Sequence, residues 1–77
     1  MTTRERVMLF IYDYKNERSI SPSVREICEG VGIQSPSTIH GHLHRLKNLG
    51  LVDFMEMSPR SLSITDVGLA YVKKLKY

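Results

Sequence analysis

The chain has 77 residues, which allows a single domain that buries only about 60% of its unfolded surface. Its 42% apolar and 25% charged residues are ordinary globular usage, and three prolines with five glycines exclude a disordered or collagen-like chain. A net charge of +3 permits a nucleic-acid partner without requiring one, and no apolar run reaches the roughly 18 residues a membrane span needs. The lone cysteine, Cys28, cannot close an internal disulfide, which fits a reducing cytoplasm. The apolar stretch Val7 to Tyr12 runs at once into Asp13, Lys15 and Glu17, too short for a secretory signal.

The first element is a helix. Val7, Phe10, Ile11 and Tyr14 recur at helical spacing and form its core face, with Thr3 as its cap. The polar segment Asn16 to Ser21, followed by Pro22, ends it. Met8 and Tyr12 lie one turn apart on a different face, with Leu9 nearby, so the helix carries a second apolar stripe.

A second helix opens at Ser23, which with Glu26 three residues on makes a capping box. Val24, Ile27, Cys28 and Val31 form its apolar face, Cys28 as a small buried hydrophobe; Gly30 weakens the helix and Gly32 stops it. A third helix opens at Ser35-Pro36, a serine cap before a proline in the first helical position. Ile39, Leu43 and Leu46 face inward. Gly50 suits the left-handed position after the helix, and Leu51 can fold back on Leu46.

The period then changes to two. Val52 and Phe54 alternate with Asp53 and Met55, and Leu62 and Ile64 with Ser61 and Ser63, around a tip at Ser58-Pro59-Arg60, which predicts a β-hairpin. Thr65-Asp66 caps a last helix whose far end carries Lys73, Lys74 and Lys76. Leu69, Val72, Tyr71 and Leu75 of this helix offer one cover for the second stripe of the first helix; the other is a second subunit, in a weak homodimer. The whole is expected to be mainly α with a small β-hairpin (α+β): a winged helix-turn-helix of three core helices, a wing and a C-terminal helix, filling 1–77 as one domain.

The third helix carries the functional signal. Stepping about 100° per residue from Ile39 puts Ser37, Gly41, His44 and Asn48 opposite the core, with Thr38, His40 and Arg45 on the flanks. This face is short, polar and able to donate and accept, as reading base edges in a major groove demands. Gly41 costs the helix about 1 kcal/mol against alanine, which close approach to DNA would offset. Ser35 and the first-turn N–H groups suit a phosphate. Arg25, Arg45, Lys47 and Arg60 are expected to meet the phosphate backbone, Arg60 from the wing tip. His40, His42 and His44 do not converge on a helix, so no metal site is expected; His42 reads as a core-edge histidine bonded to a backbone group. No nucleophile–base pair, cofactor loop or acid pair suggests an enzyme.

The stretch SPSVREICEGVGIQSPSTIHGHLHRLKNLGLV, followed by SPRSLSI, closely resembles the N-terminal DNA-binding domain of LexA-type SOS repressors, particularly those of Gram-positive bacteria. The resemblance covers about residues 4 to 64. It implies a winged helix-turn-helix that represses by binding palindromic operators, with Ser35, Ser37, Thr38, His40 and Gly41 nearest to DNA. LexA-type repressors continue into a self-cleaving protease domain that also dimerises. This sequence runs instead through ITDVGLAYVKKLKY, which looks like the closing helix of other winged-helix regulators, so the resemblance does not carry over self-cleavage or an SOS role. The expected function is a cytoplasmic, sequence-specific regulator of transcription that binds double-stranded DNA without a cofactor. The alternative is a winged-helix protein-interaction module, which a large apolar outward face would have favoured.

Overall fold

In a computed structural model, which describes residues 1–56, 58 and 60–77, four helices and one short hairpin follow one another. They are α1 (Thr3–Arg18), α2 (Val24–Val31), α3 (Pro36–Asn48), β1 (Val52–Asp53), β2 (Ser63–Ile64) and α4 (Asp66–Lys76). The expected wing tip includes Pro59, which lies outside the described residues.

Local chemistry sets most boundaries. The cap of α1 is Thr2, not Thr3: Thr2 Oγ1 accepts from the Glu5 N–H, and the Glu5 carboxylate accepts from the Thr2 N–H. A threonine one residue earlier completes a reciprocal box that Thr3 could not, because Glu5 then stands at the third helical position. The helix also runs through Asn16–Arg18 before Ser19 turns left-handed at φ 62°. The Ser23–Glu26 box opens α2, and Gly32 closes it at φ 76°. Helix α3 starts from Ser35 with Pro36 in its first turn. It ends in a Schellman pair: the Gly50 N–H donates to the Lys47 carbonyl and the Leu51 N–H to that of Leu46, both at 3.0 Å.

Helices α1, α2 and α3 enclose a core of Val7, Met8, Ile11, Ile27, Cys28, Val31, Ile39, Leu43 and Leu46, joined by Val52, Leu62 and Val72. Each fully buried aliphatic side chain here contributes about 1.5–3 kcal/mol. Phe10, expected in this core, is half-buried: its ring rests on Gly30, where a Cβ would have no room. Gly30 is therefore a packing seat as well as a weak helix residue.

The second stripe of α1 is covered within the chain. Met8 is fully buried, and Val72 of α4 has no exposed surface. Polar contacts flank this packing: the Tyr71 hydroxyl donates to Glu5 at 3.2 Å, and Lys76 Nζ lies 2.6 Å from Asp13. Of the two expected covers, the closing helix is the one the structure shows. Its start is fastened to the turn after α3, where the Thr65 N–H donates to the Leu51 carbonyl and Thr65 Oγ1 to that of Gly50.

The hairpin is antiparallel, with Val52 opposite Ile64 and Asp53 opposite Ser63. Its strands are two residues long, shorter than the alternation suggests. Side chains displace the ladder beyond them. Asp53 Oδ1 takes the Phe54 N–H at 2.9 Å, and Ser61 Oγ accepts from the Met55 N–H at 2.9 Å and reaches the Met55 carbonyl at 3.2 Å.

Candidate nucleic-acid interface

The outward side of α3 is polar and open. Ile39, Leu43 and Leu46 are buried, while Ser35, Ser37, Thr38, His40, Gly41, His44, Arg45 and Asn48 are exposed. A Cβ built on Gly41 would meet no atom within 4 Å. The helix has no carboxylate to repel a phosphate. Ser35 Oγ accepts from the Thr38 N–H at 3.4 Å, so its hydroxyl serves as the cap. The positive end of the helix dipole adds to the attraction for an anion at this edge.

Of the four expected cationic contacts, two are free for a partner. Arg25 and Arg45 are exposed and form no ion pair among the described residues. Arg25 and His40 line the same cleft of about 420 Å³ between the start of α2, α3 and the wing. The structure thus brings Arg25 beside the open face of α3.

Lys47 and Arg60 are instead engaged inside the molecule, and so is His44. Lys47 is half-buried, its Nζ 2.7 Å from the Phe54 carbonyl, 3.7 Å from Asp53 Oδ1 and 4.6 Å from the centre of the Phe54 ring. His44 stands edge-on to Phe54 with ring centres 5.3 Å apart, and its Nε2 lies 3.2 Å from Glu56. Arg60 does not stand free at a wing tip. It is left-handed at φ 61°, and its guanidinium folds back on α2, donating to the Ser21 carbonyl at 2.9 Å and facing both oxygens of Glu26 at 3.0 and 3.2 Å. Each of the three finds a carbonyl or carboxylate within reach once the wing folds over α2 and α3. His42 is half-buried, and no hydrogen bond joins its ring among the described residues; the expected backbone partner is not there.

Glu26 is the residue the sequence understates. One carboxylate receives the Ser23 N–H at 2.8 Å, the Tyr14 hydroxyl at 2.7 Å and the Arg60 guanidinium. These donors, the Ser23 N–H first, then Arg60 and Tyr14, hold its pKa down at about 2. The capping motif was visible in the sequence. The Tyr14 and Arg60 contacts, 12 and 34 positions away, had no local signal. Among the described residues no group of three His, Cys, Asp or Glu could hold a metal ion, and no helix is long and apolar enough to cross a membrane.

Two helices joined by the four residues Gly32–Ser35, the second with an open, carboxylate-free polar face and followed by a hairpin, define a winged helix-turn-helix of the DNA-binding kind. Residues 1–61 match the LexA DNA binding domain, and the chain belongs to that family. It is 46% identical over 63 residues to a LexA repressor of Oenococcus oeni, covering 82% of this chain and 30% of that protein. It is 45% identical over 67 residues to one of Lactobacillus helveticus, covering 87% and 32%. It is 42% identical over 60 residues to one of Carboxydothermus hydrogenoformans, covering 78% and 29%. The chain spans about a third of the length of these relatives, and all of α4 lies beyond residues 1–61, which match the family domain.

Proposed function

We propose that this protein is a sequence-specific regulator of transcription that binds double-stranded DNA and acts as a repressor, with α3 in the major groove. The observation that carries this reading is the outward face of α3: exposed Ser37, Thr38, His40 and Arg45 around an unobstructed Gly41, with no acid. Hydroxyls and imidazole supply donors and acceptors for base edges, and the missing Cβ admits the groove wall. Arg25 and Arg45 take phosphates on either side, while Ser35 and the first-turn amides hold a third. The site is made of these side chains and amides alone, with no metal or cofactor. The relatives are named LexA repressors, which supports repression as the outcome.

The operator in this reading is a palindrome, with one copy of the chain on each half-site. Any pairing of the copies uses a surface other than the Met8 stripe, which α4 occupies. The activity belongs in the cytoplasm. The test is selection of bound sequences from random duplex DNA. Enrichment of an inverted repeat with a fixed half-site spacing is expected; recovery of no preferred sequence would refute specific binding.

A further inference from the structure

Nine residues, 54 to 62, separate two strands of two residues each. Two rungs of ladder define the base of such a wing and leave its outer part to other contacts. Those contacts are polar clamps, one on each arm. The outgoing arm is held to α3, where Lys47 meets the Phe54 carbonyl and His44 meets Glu56. The returning arm is held to α1 and α2. Lys15 Nζ reaches the Leu62 carbonyl at 3.3 Å, and Ser21 Oγ donates to the Arg60 carbonyl at 2.5 Å. The Arg60 guanidinium then closes on the Ser21 carbonyl and on Glu26.

The second clamp is the more constrained. Glu26 is held independently of Arg60, because its carboxylate also takes the Ser23 N–H and the Tyr14 hydroxyl. Tyr14 is itself buried, with Arg18 stacked 4.4 Å from its ring centre. Arg60 adopts a left-handed backbone, unfavourable for a residue with a Cβ, and two side-chain-to-carbonyl hydrogen bonds with Ser21 hold it there: the Ser21 hydroxyl donates to the Arg60 carbonyl and the Arg60 guanidinium to the Ser21 carbonyl. A planar fork meeting a fixed carboxylate sets direction as well as distance, which a lysine could not do.

We infer that the Arg60–Glu26–Ser21 buckle is a positioning device: it sets the stance of the wing against the groove-facing side of α3, so that Arg60 aids DNA binding through the wing and not as a phosphate ligand. This rests on the proposed DNA-binding function. Its sharp consequence is a sign. Glu26→Gln keeps the capping box, since glutamine serves at that position, but it removes the charge that holds Arg60. If Arg60 were a phosphate ligand, freeing it and raising the net charge by one would strengthen binding. With Arg60 as a buckle, binding weakens in spite of the added positive charge.

The experiment measures affinity of the full chain for a selected duplex and for a panel of altered duplexes. The wild type is compared with Glu26→Gln and Arg60→Lys, alongside circular dichroism and amide NMR shifts. Both variants should bind every duplex roughly tenfold more weakly. They should keep the wild-type order of preference, because α3 is untouched, and show displaced amide shifts confined to the wing and the start of α2. Arg60→Lys keeps its charge and lies outside the helices, so it decides the matter by the same criterion should Glu26→Gln lose native circular dichroism. Undiminished binding by a folded Glu26→Gln, or by Arg60→Lys, overturns the buckle alone. A wild-type chain that binds no duplex overturns the function itself, and the buckle's role with it.

Discussion

Gly41 and Gly68 both sit in helices, yet the same change to alanine should move stability in opposite directions. At Gly41 a new Cβ would meet nothing within 4 Å, and the backbone is ordinary α-helix. Alanine there gains about 1 kcal/mol of helix propensity, partly by restricting the unfolded chain. For a domain of this size that raises the melting temperature by roughly 4–8 °C. At Gly68 the new Cβ would overlap the Leu51 carbonyl oxygen and lie 2.9 Å from the Leu51 carbonyl carbon and from Met8 Cε. A backbone carbonyl cannot swing aside as a side-chain end can, so α4 must lift from the turn after α3. Overpacking of this kind costs about 1–3 kcal/mol, which exceeds the propensity gain over most of its range. Thermal melts followed by circular dichroism compare the two. A lower melting temperature for Gly41→Ala would show that this face is not open, and an unchanged one for Gly68→Ala would refute the packing of α4. The binding arm uses Gly41→Glu, which should melt like a folded protein and lose affinity because it sets an acid against the groove. Wild-type affinity in that variant would remove α3 from the interface.

With Lys47 and Arg60 engaged internally, Arg25 and Arg45 remain as the proposed phosphate contacts. Log affinity should fall against log salt with a slope of about −0.9 per contact, roughly −2 per subunit. A flat titration would refute an electrostatic DNA contact. Ser37→Ala and Thr38→Ala should each reduce discrimination between preferred and altered duplexes by about 1–3 kcal/mol; an equal loss on every duplex would mean that they do not read bases. The lowered pKa of Glu26 links folding to acid. Its contribution to stability is fully present above the unfolded value of 4.5 and is lost as pH falls toward about 2. Urea unfolding at several pH values should therefore show a shallower acid loss in Glu26→Gln than in the wild type, and identical slopes would refute the linkage.

Much of the architecture was legible because it depends on near neighbours. The Ser23–Glu26 box, the Ser35-Pro36 start, the Gly32 stop and the Gly50–Leu51 ending each join residues within a few positions, and each stands in the structure as expected. The outward face of α3 was legible for the same reason, since helical periodicity alone separates Ser37 and Gly41 from Ile39 and Leu43. The cap expected at Thr3 falls one residue earlier, at Thr2, because only that spacing puts Glu5 at the third helical position.

What the sequence by itself determined was the order of elements and which side of each helix turns inward, because backbone hydrogen bonding and apolar spacing are local. It could not say where a long, flexible cation ends up. Arg60 and Lys47 looked like phosphate contacts, and His44 like part of the outward face of the third helix, when only their charge or polarity and their place in the chain were known. Folding brings Glu26, the Phe54 carbonyl and Glu56 within their reach, from elements distant in sequence or across the wing. Tertiary structure alone likewise decided that the second stripe of α1 is covered by α4, since Met8 and Val72 are 64 positions apart and no local rule links them. A cation pairs with whichever anion or carbonyl the fold sets beside it, and that neighbour is fixed only when the helices pack.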